Sequence, residues 1–125
     1  MSLPPPHRPF GIKALNRAGG ALRCLGWNWP SLAPHELLDA AQRRAGSNDF
    51  GGDGFLEGME VLLDSVEREA ELSTLGRLSC RETLIRYLTN RLRFTEYRAQ
   101  HPELARESIE RPIFIVGLPR TGTTI

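Results

Sequence analysis

A short apolar run near the end of the chain, followed at once by glycines and threonines, is the feature that most limits the possible folds. The run is Ile113–Val116, and its β-branched residues predict a buried strand of a parallel sheet. The next residues, GLPRTGTT, have the spacing G-x-x-x-x-G-T-T, close to that of the phosphate-binding loop G-x-x-x-x-G-K-[ST]. We therefore expect a mainly α chain with one strand and a P-loop-like turn, which begin an α/β fold with a parallel sheet.

The residues before this run are expected to be helical. Apolar residues recur at helical spacing in four segments, which predict helices over residues 12–25, 34–45, 54–72 and 79–100. The expected organisation is a disordered proline-rich tail over residues 1–10 and a helical region over residues 11–107. Residues 108–125 then hold the strand and the loop.

The ends and faces of these helices carry local signals. Pro34 and Gly46 suit the start and the end of the second helix, and Asp53 is placed to cap the third. Ser79 and Glu82 fit a capping box at the start of the fourth. The acidic run at positions 67, 69 and 71 is expected on a solvated face. The third helix is expected to bury a stripe made of Phe55, Met59, Leu62, Leu63, Val66 and Ala70.

The composition indicates one small globular domain, since 40% of the 125 residues are hydrophobic and 25% are charged. A net charge of +1 gives no general attraction to nucleic acid. Residues 1–35 nevertheless carry a net charge of +4 and no acidic residue. This basic stretch could contact anionic lipid weakly, although its narrow apolar stripe favours a solvated face. No segment has the roughly 18–20 apolar residues of a membrane span.

The cysteines and histidines do not form a recognisable site in the sequence. Cys24 and Cys80 are far apart and belong to no CxxC motif, which favours a reduced chain in the cytoplasm without a metal. His7, His35 and His101 all precede the glycine-threonine loop, and none has the spacing of a metal ligand or a catalytic triad. Solvent-exposed or capping roles are expected for them.

The chemistry expected of the loop is anion binding. Its glycines let consecutive backbone N–H groups point at an anion, and threonine hydroxyls add further donors. A helix that follows the loop would add the positive end of its dipole. A nucleoside triphosphatase would have lysine where Thr123 stands, whereas the cation of this loop is Arg120. Such a loop suits a donor that has a 5′-phosphate and a terminal sulfonate.

The sequence PRTGTT after an apolar strand resembles the 5′-phosphosulfate loop of sulfotransferases that use 3′-phosphoadenosine 5′-phosphosulfate (PAPS), whose usual form is P-[KR]-[ST]-G-T-T. The stretches DFGGDGFLEGMEVLLDSVEREAELSTLGR and ERPIFIVGLPRTGTT are similar to a bacterial subfamily with a helical N-terminal region. The resemblance extends from about Asp49 onward, and the loop is its specific part. It implies transfer of a sulfuryl group from PAPS, the co-substrate, to an acceptor hydroxyl or amine without a metal.

The same resemblance implies roles for individual residues. Arg120 takes the place of the basic residue that contacts the sulfuryl group, which is the catalytic role. Because arginine stays protonated, Arg120 could neutralise charge on the leaving phosphate but not donate a proton to it. Many relatives have tryptophan at the position of Ile125, so the resemblance implies no aromatic stacking on the adenine from this position. The donor-binding residues implied are Gly117, Pro119, Arg120, Thr121, Gly122, Thr123 and Thr124.

Two other functions stay open at this point. The chain could belong to a P-loop kinase or nucleoside triphosphatase, although the missing lysine argues against it, or it could be a truncated product that is not an enzyme. In a sulfotransferase the catalytic histidine and the residues for the 3′-phosphate would lie beyond Ile125. We therefore expect the 125-residue chain alone to be inactive and frayed from about Pro112. The acceptor, a small molecule or a glycolipid, is not defined by these residues.

Overall fold

The structure is a computed structural model, which describes residues 9–26, 29–108, 110–114 and 116. Within these residues the chain is helical, and the elements in chain order are α1 (Phe10–Cys24), α2 (Pro34–Ala45), α3 (Leu56–Glu69) and α4 (Thr74–Gln100), followed by a 3₁₀ helix (Pro102–Arg106).

The longest helix, α4, is the element on which the others assemble. It has 27 residues, and a helix of that length extends about 40 Å. Helix α2 packs along it, and α1 contacts its first turn. The buried apolar core comes from α2, α3, α4 and the loop before α2, and its members are Leu32, Leu37, Ala41, Met59, Leu63, Ile85, Leu88 and Leu92.

Helix α2 confirms the sequence prediction at both ends. Pro34 is its first residue, where the missing N–H costs no hydrogen bond. Gly46 ends it in the left-handed conformation, with φ of 73°, and its N–H donates to the carbonyl of Gln42 at 2.8 Å. Local signals alone therefore define this helix.

The predicted start of α4 is wrong. The helix begins at Thr74, and the hydroxyl of Ser73 caps it by accepting the N–H of Gly76 at 3.2 Å. Ser79 lies inside the helix, so it forms no capping box. Glu82 instead contacts Arg44 of α2, with an oxygen–nitrogen distance of 2.6 Å.

Helix α3 also differs from its prediction. It runs over Leu56–Glu69, and the residue at its N-cap position is Phe55, so the Asp53 side chain does not cap it. Met59 and Leu63 are buried as expected, but Leu62 is exposed and Ala70 lies beyond the helix. The face of α3 that is buried in the core is therefore narrower than the apolar stripe predicted from the sequence.

Helices α1 and α4 approach closely at Gly19. A Cβ atom at this position would lie 2.1 Å from Oγ1 of Thr74, which is fully buried. Asn16 accepts the N–H of Leu75 at 3.1 Å, and Arg23 donates to the carbonyl of Leu72 at 3.0 Å. The glycine that weakens α1 as a helix is thus the residue that lets it pack against α4.

Arginines of α4 hold the loops between the other helices. The Nε atoms of Arg77 and Arg81 donate to the carbonyls of Pro30 and Ser31, at 3.2 and 3.1 Å. Arg91 donates in the same way to the carbonyl of Phe50 at 2.8 Å. One helix therefore fixes both the loop before α2 and the loop before α3.

The expectation of a buried parallel strand at Ile113–Val116 is wrong for the residues described there. Ile113, Phe114 and Val116 are in neither a helix nor a strand, and their side chains are 82–91% exposed. A strand needs a neighbour to pair its backbone N–H and C=O groups, and no other described segment is extended beside this one. The described part of the chain is therefore all α, and it shows no start of a parallel sheet.

Candidate functional site

The predicted donor-binding loop, including Arg120, lies at positions 117–124, outside the residues that the structure describes. The donor-binding residues therefore stay predictions from the sequence, and they are Gly117, Pro119, Arg120, Thr121, Gly122, Thr123 and Thr124. The structure does describe the chain that leads to the loop. The 3₁₀ helix contacts α4, and an exposed segment without regular structure follows it.

The most enclosed charged group of the described chain is the guanidinium of Arg77. Its side chain is 5% exposed, and its two terminal nitrogens donate to the two carboxylate oxygens of Glu67 at 2.6 and 2.7 Å. Together with the bond from Nε to Pro30, this pairing gives each of the three guanidinium nitrogens one acceptor. The arrangement joins α3 and α4 to the loop before α2, which indicates a structural role for Arg77.

The sequence predicts a solvated face for Glu67, and its side chain is 39% exposed. What the sequence did not indicate is that Arg77 holds this carboxylate. The hydrogen bonds from Arg77 lower the pKa of the Glu67 carboxyl below its ordinary value of 4.5, against an opposing effect of burial, and the charges of Arg77 and Arg23 lower it further. The signal that could have revealed the pair is weak, because ten residues separate its members.

The lowered pKa of Glu67 predicts a loss of stability in acid. The charged form stabilises the fold above the ordinary pKa of 4.5, and this contribution disappears as the pH falls through the lower value of the folded protein. Thermal unfolding of wild type and Glu67→Gln, followed by circular dichroism from pH 7 to pH 3, should show a shallower acid decline in the variant. Glu60→Gln, which changes an exposed carboxylate of α3, is the control. Parallel acid declines in wild type and Glu67→Gln would contradict the prediction.

The described thiols and imidazoles offer no nucleophile or general base in an arranged site. Burial raises the pKa of the Cys80 thiol, which disfavours the reactive thiolate, and Cys24 is an exposed free thiol. His35 is exposed on α2, and Nδ1 of His101 lies 2.8 Å from a carboxylate oxygen of Glu103 at the end of α4. Among the described residues, no cluster of three or more metal-ligating side chains is present.

A groove beside the C-terminal half of α4 is the feature that sequence reasoning missed. Its volume is about 330 Å³, and it lies between α4, the loop before α3 and the 3₁₀ helix. Arg91 and Arg98 are seven residues apart on α4, with Phe94 between them, so the three share one face. That spacing was the signal in the sequence that could have indicated the groove. The lining consists of Phe50, Gly51, Arg91, Phe94, Thr95, Arg98, Ala99, His101, Leu104 and Ala105.

No described helix is both long enough and apolar enough to cross a membrane. A search against protein-family models finds no match to this chain. Searches of curated proteins and of solved structures find no significant match either.

Proposed function

We propose that the chain belongs to a PAPS-dependent sulfotransferase and that residues 117–124 bind the 5′-phosphosulfate of the donor. The observation that carries the proposal is the sequence PRTGTT, which places one arginine and three threonines around a glycine directly after an apolar run. Backbone N–H groups, hydroxyls and one fixed cation are the groups that recognise a doubly anionic donor.

In the proposed reaction an acceptor oxygen or nitrogen attacks the sulfur of PAPS. The bond between that sulfur and the bridging oxygen of the 5′-phosphate breaks, so the products are a sulfated acceptor and adenosine 3′,5′-bisphosphate. The acceptor proton passes to a base. Such a transfer depends mainly on positioning and on neutralising charge on the leaving phosphate. Arg120 is the residue of the loop that can supply this charge.

The substitution of Thr123 for the lysine of a nucleoside triphosphatase favours this function over ATP or GTP hydrolysis. A cytoplasmic location is part of the proposal and rests on the two cysteines without a disulfide motif. For the basic N-terminal stretch, weak contact with anionic lipid is the alternative to a solvated face.

Arg120→Ala is expected to weaken donor binding by more than tenfold in the full-length enzyme that the proposal implies. The variant removes the single cation of the loop, and charge-assisted hydrogen bonds contribute about 1.5–3 kcal/mol each. Calorimetric titration of adenosine 3′,5′-bisphosphate into wild type and variant measures the change. Arg106→Ala, which removes an exposed arginine of the 3₁₀ helix, is the matched control.

Equal affinities of wild type and Arg120→Ala would exclude the assignment of the loop. A parallel titration with Mg²⁺ and ATP tests the competing class. If Mg²⁺-ATP binds tightly and adenosine 3′,5′-bisphosphate does not, the chain belongs to a kinase or nucleoside triphosphatase. Transfer of radiolabelled sulfate from PAPS to candidate hydroxyl or amine acceptors then tests the reaction itself.

A further inference from the structure

The groove beside α4 has an uneven distribution of charge. Arg91 and Arg98 contribute two guanidinium groups to its lining, and none of the lining residues among the described chain is acidic. Their seven-residue separation corresponds to about 10 Å along the helix axis. His101, at the end of the groove, is paired with Glu103. Two cations therefore line the groove without a carboxylate in its wall.

The two arginines still have N–H groups without a described acceptor. Arg91 uses Nε for the carbonyl of Phe50, and its terminal nitrogens donate to no described residue. Arg98 enters no hydrogen bond or ion pair with the described part of the chain. Its guanidinium carbon lies 5.9 Å from the centroid of the Phe94 ring. These donors are available to a ligand without breaking an existing contact.

Two of the apolar residues that line the groove, Phe50 and Phe94, are aromatic. The ring of Phe50 lies 5.4 Å from the ring of Phe55, and the guanidinium of Arg91 lies over Phe55 at 4.4 Å. These contacts fix one wall. Phe94, on the other side, is 62% exposed and presents its ring to solvent. An aromatic ring with a guanidinium next to it suits a planar ligand that carries negative charge.

The loop before α3 lines one side of the groove and comes close to α4 at Gly51. Gly51 has a φ of 73°, and a Cβ atom there would lie 3.0 Å from Oγ1 of Thr95. The loop therefore approaches α4 more closely than another residue would allow. The volume of about 330 Å³ falls at the lower end of the range of small-molecule sites.

We propose that this groove binds a small aromatic anion, a planar ring system that carries a carboxylate, phosphate or sulfonate group. The ring lies against Phe94 and Phe50, and the anionic group is bound by Arg98 together with the terminal nitrogens of Arg91. The site is separate in sequence from the proposed donor loop, and it does not depend on the function proposed for that loop.

The test uses 1-anilinonaphthalene-8-sulfonate, a fluorescent aromatic sulfonate, with the 125-residue protein. Saturable binding with a stoichiometry of one is expected for wild type. Arg98→Gln should weaken the affinity by about tenfold, because it removes a charge-assisted contact. Arg93→Gln removes the same charge from an exposed position of α4 outside the lining and should leave the affinity unchanged. Uncharged N-phenyl-1-naphthylamine should bind wild type and Arg98→Gln equally.

A second variant tests the space rather than the charge. Ala105→Trp fills the groove while both arginines remain, and it should abolish saturable binding. Circular dichroism confirms that each variant keeps its helices. Equal affinities of wild type and Arg98→Gln would overturn the proposal. So would an equal loss in Arg98→Gln and Arg93→Gln, or undiminished binding by Ala105→Trp.

Discussion

Replacing Glu67 with alanine is expected to lower the free energy of unfolding by about 3 kcal/mol, at the lower end of the cost of breaking a buried ion pair. The reason is the guanidinium of Arg77, which is 5% exposed and would lose both carboxylate oxygens while it keeps the carbonyl of Pro30. The figure is not larger because Glu67 is 39% exposed, so water can enter where the carboxylate was. Urea denaturation at pH 7 measures the change.

Two further variants isolate the cause of this loss. Glu82→Ala removes an exposed carboxylate that pairs with Arg44, and it should change the stability little. Glu67→Ala combined with Arg77→Met removes both charges and should recover most of the loss, because no buried charge remains unpaired. If the double variant is less stable than Glu67→Ala, the bond from Arg77 to the carbonyl of Pro30 contributes more than the ion pair.

Gly19→Ala is expected to destabilise the protein by about 2 kcal/mol, since overpacking costs roughly 1–3 kcal/mol and outweighs the gain in helix propensity. The added Cβ would lie 2.1, 2.6 and 2.8 Å from Oγ1, Cγ2 and Cβ of Thr74. Because Cβ of Thr74 is among these atoms, rotation of its side chain cannot remove the clash. Helix α1 must therefore move away from α4.

The neighbouring glycine provides the control for this experiment. A Cβ at Gly20 meets nothing within 4 Å, so Gly20→Ala should stabilise α1 by up to about 1 kcal/mol through helix propensity alone. Thr74→Ala should partly rescue Gly19→Ala, and it breaks no hydrogen bond, because the Thr74 hydroxyl has no partner among the described residues. Hydrogen exchange of the α1 amides should report faster opening in Gly19→Ala. Equal effects of the two glycine substitutions would contradict the close packing.

The parts of the fold that the sequence predicted correctly are those with local causes. Helix α2 is one example, because proline at its start and glycine at its end each act within one turn. The start of α4 shows the opposite case. Thr74 and Arg77 are buried by contacts with Gly19 and Pro30, which are distant in the sequence. A polar residue in the core interrupts apolar periodicity, so the pattern placed the start of the helix too late.

The same reason explains why the ion pair of Glu67 was not predicted and why the predicted strand is absent from the described residues. Glu67 is exposed as its sequence position indicates, but only the position of Arg77 shows that it is paired. A strand at Ile113–Val116 requires a second strand, and the described residues contain none. For the candidate sites, the loop at 117–124 was predicted from a motif and lies outside the described residues. The groove depends on Gly51 meeting Thr95, which no local pattern indicates.

The loops before α2 and α3 are held through their main chain, since Arg77, Arg81 and Arg91 all donate to backbone carbonyls. A carbonyl is present whichever residue occupies the position, so these anchors do not depend on the side chain of the residue that the arginine contacts. An arginine of this kind would be retained across related sequences even where the residue that it contacts differs. Such a contact leaves no covariation between two positions. Methods that infer contacts from paired substitutions would therefore miss the interactions that fix these loops.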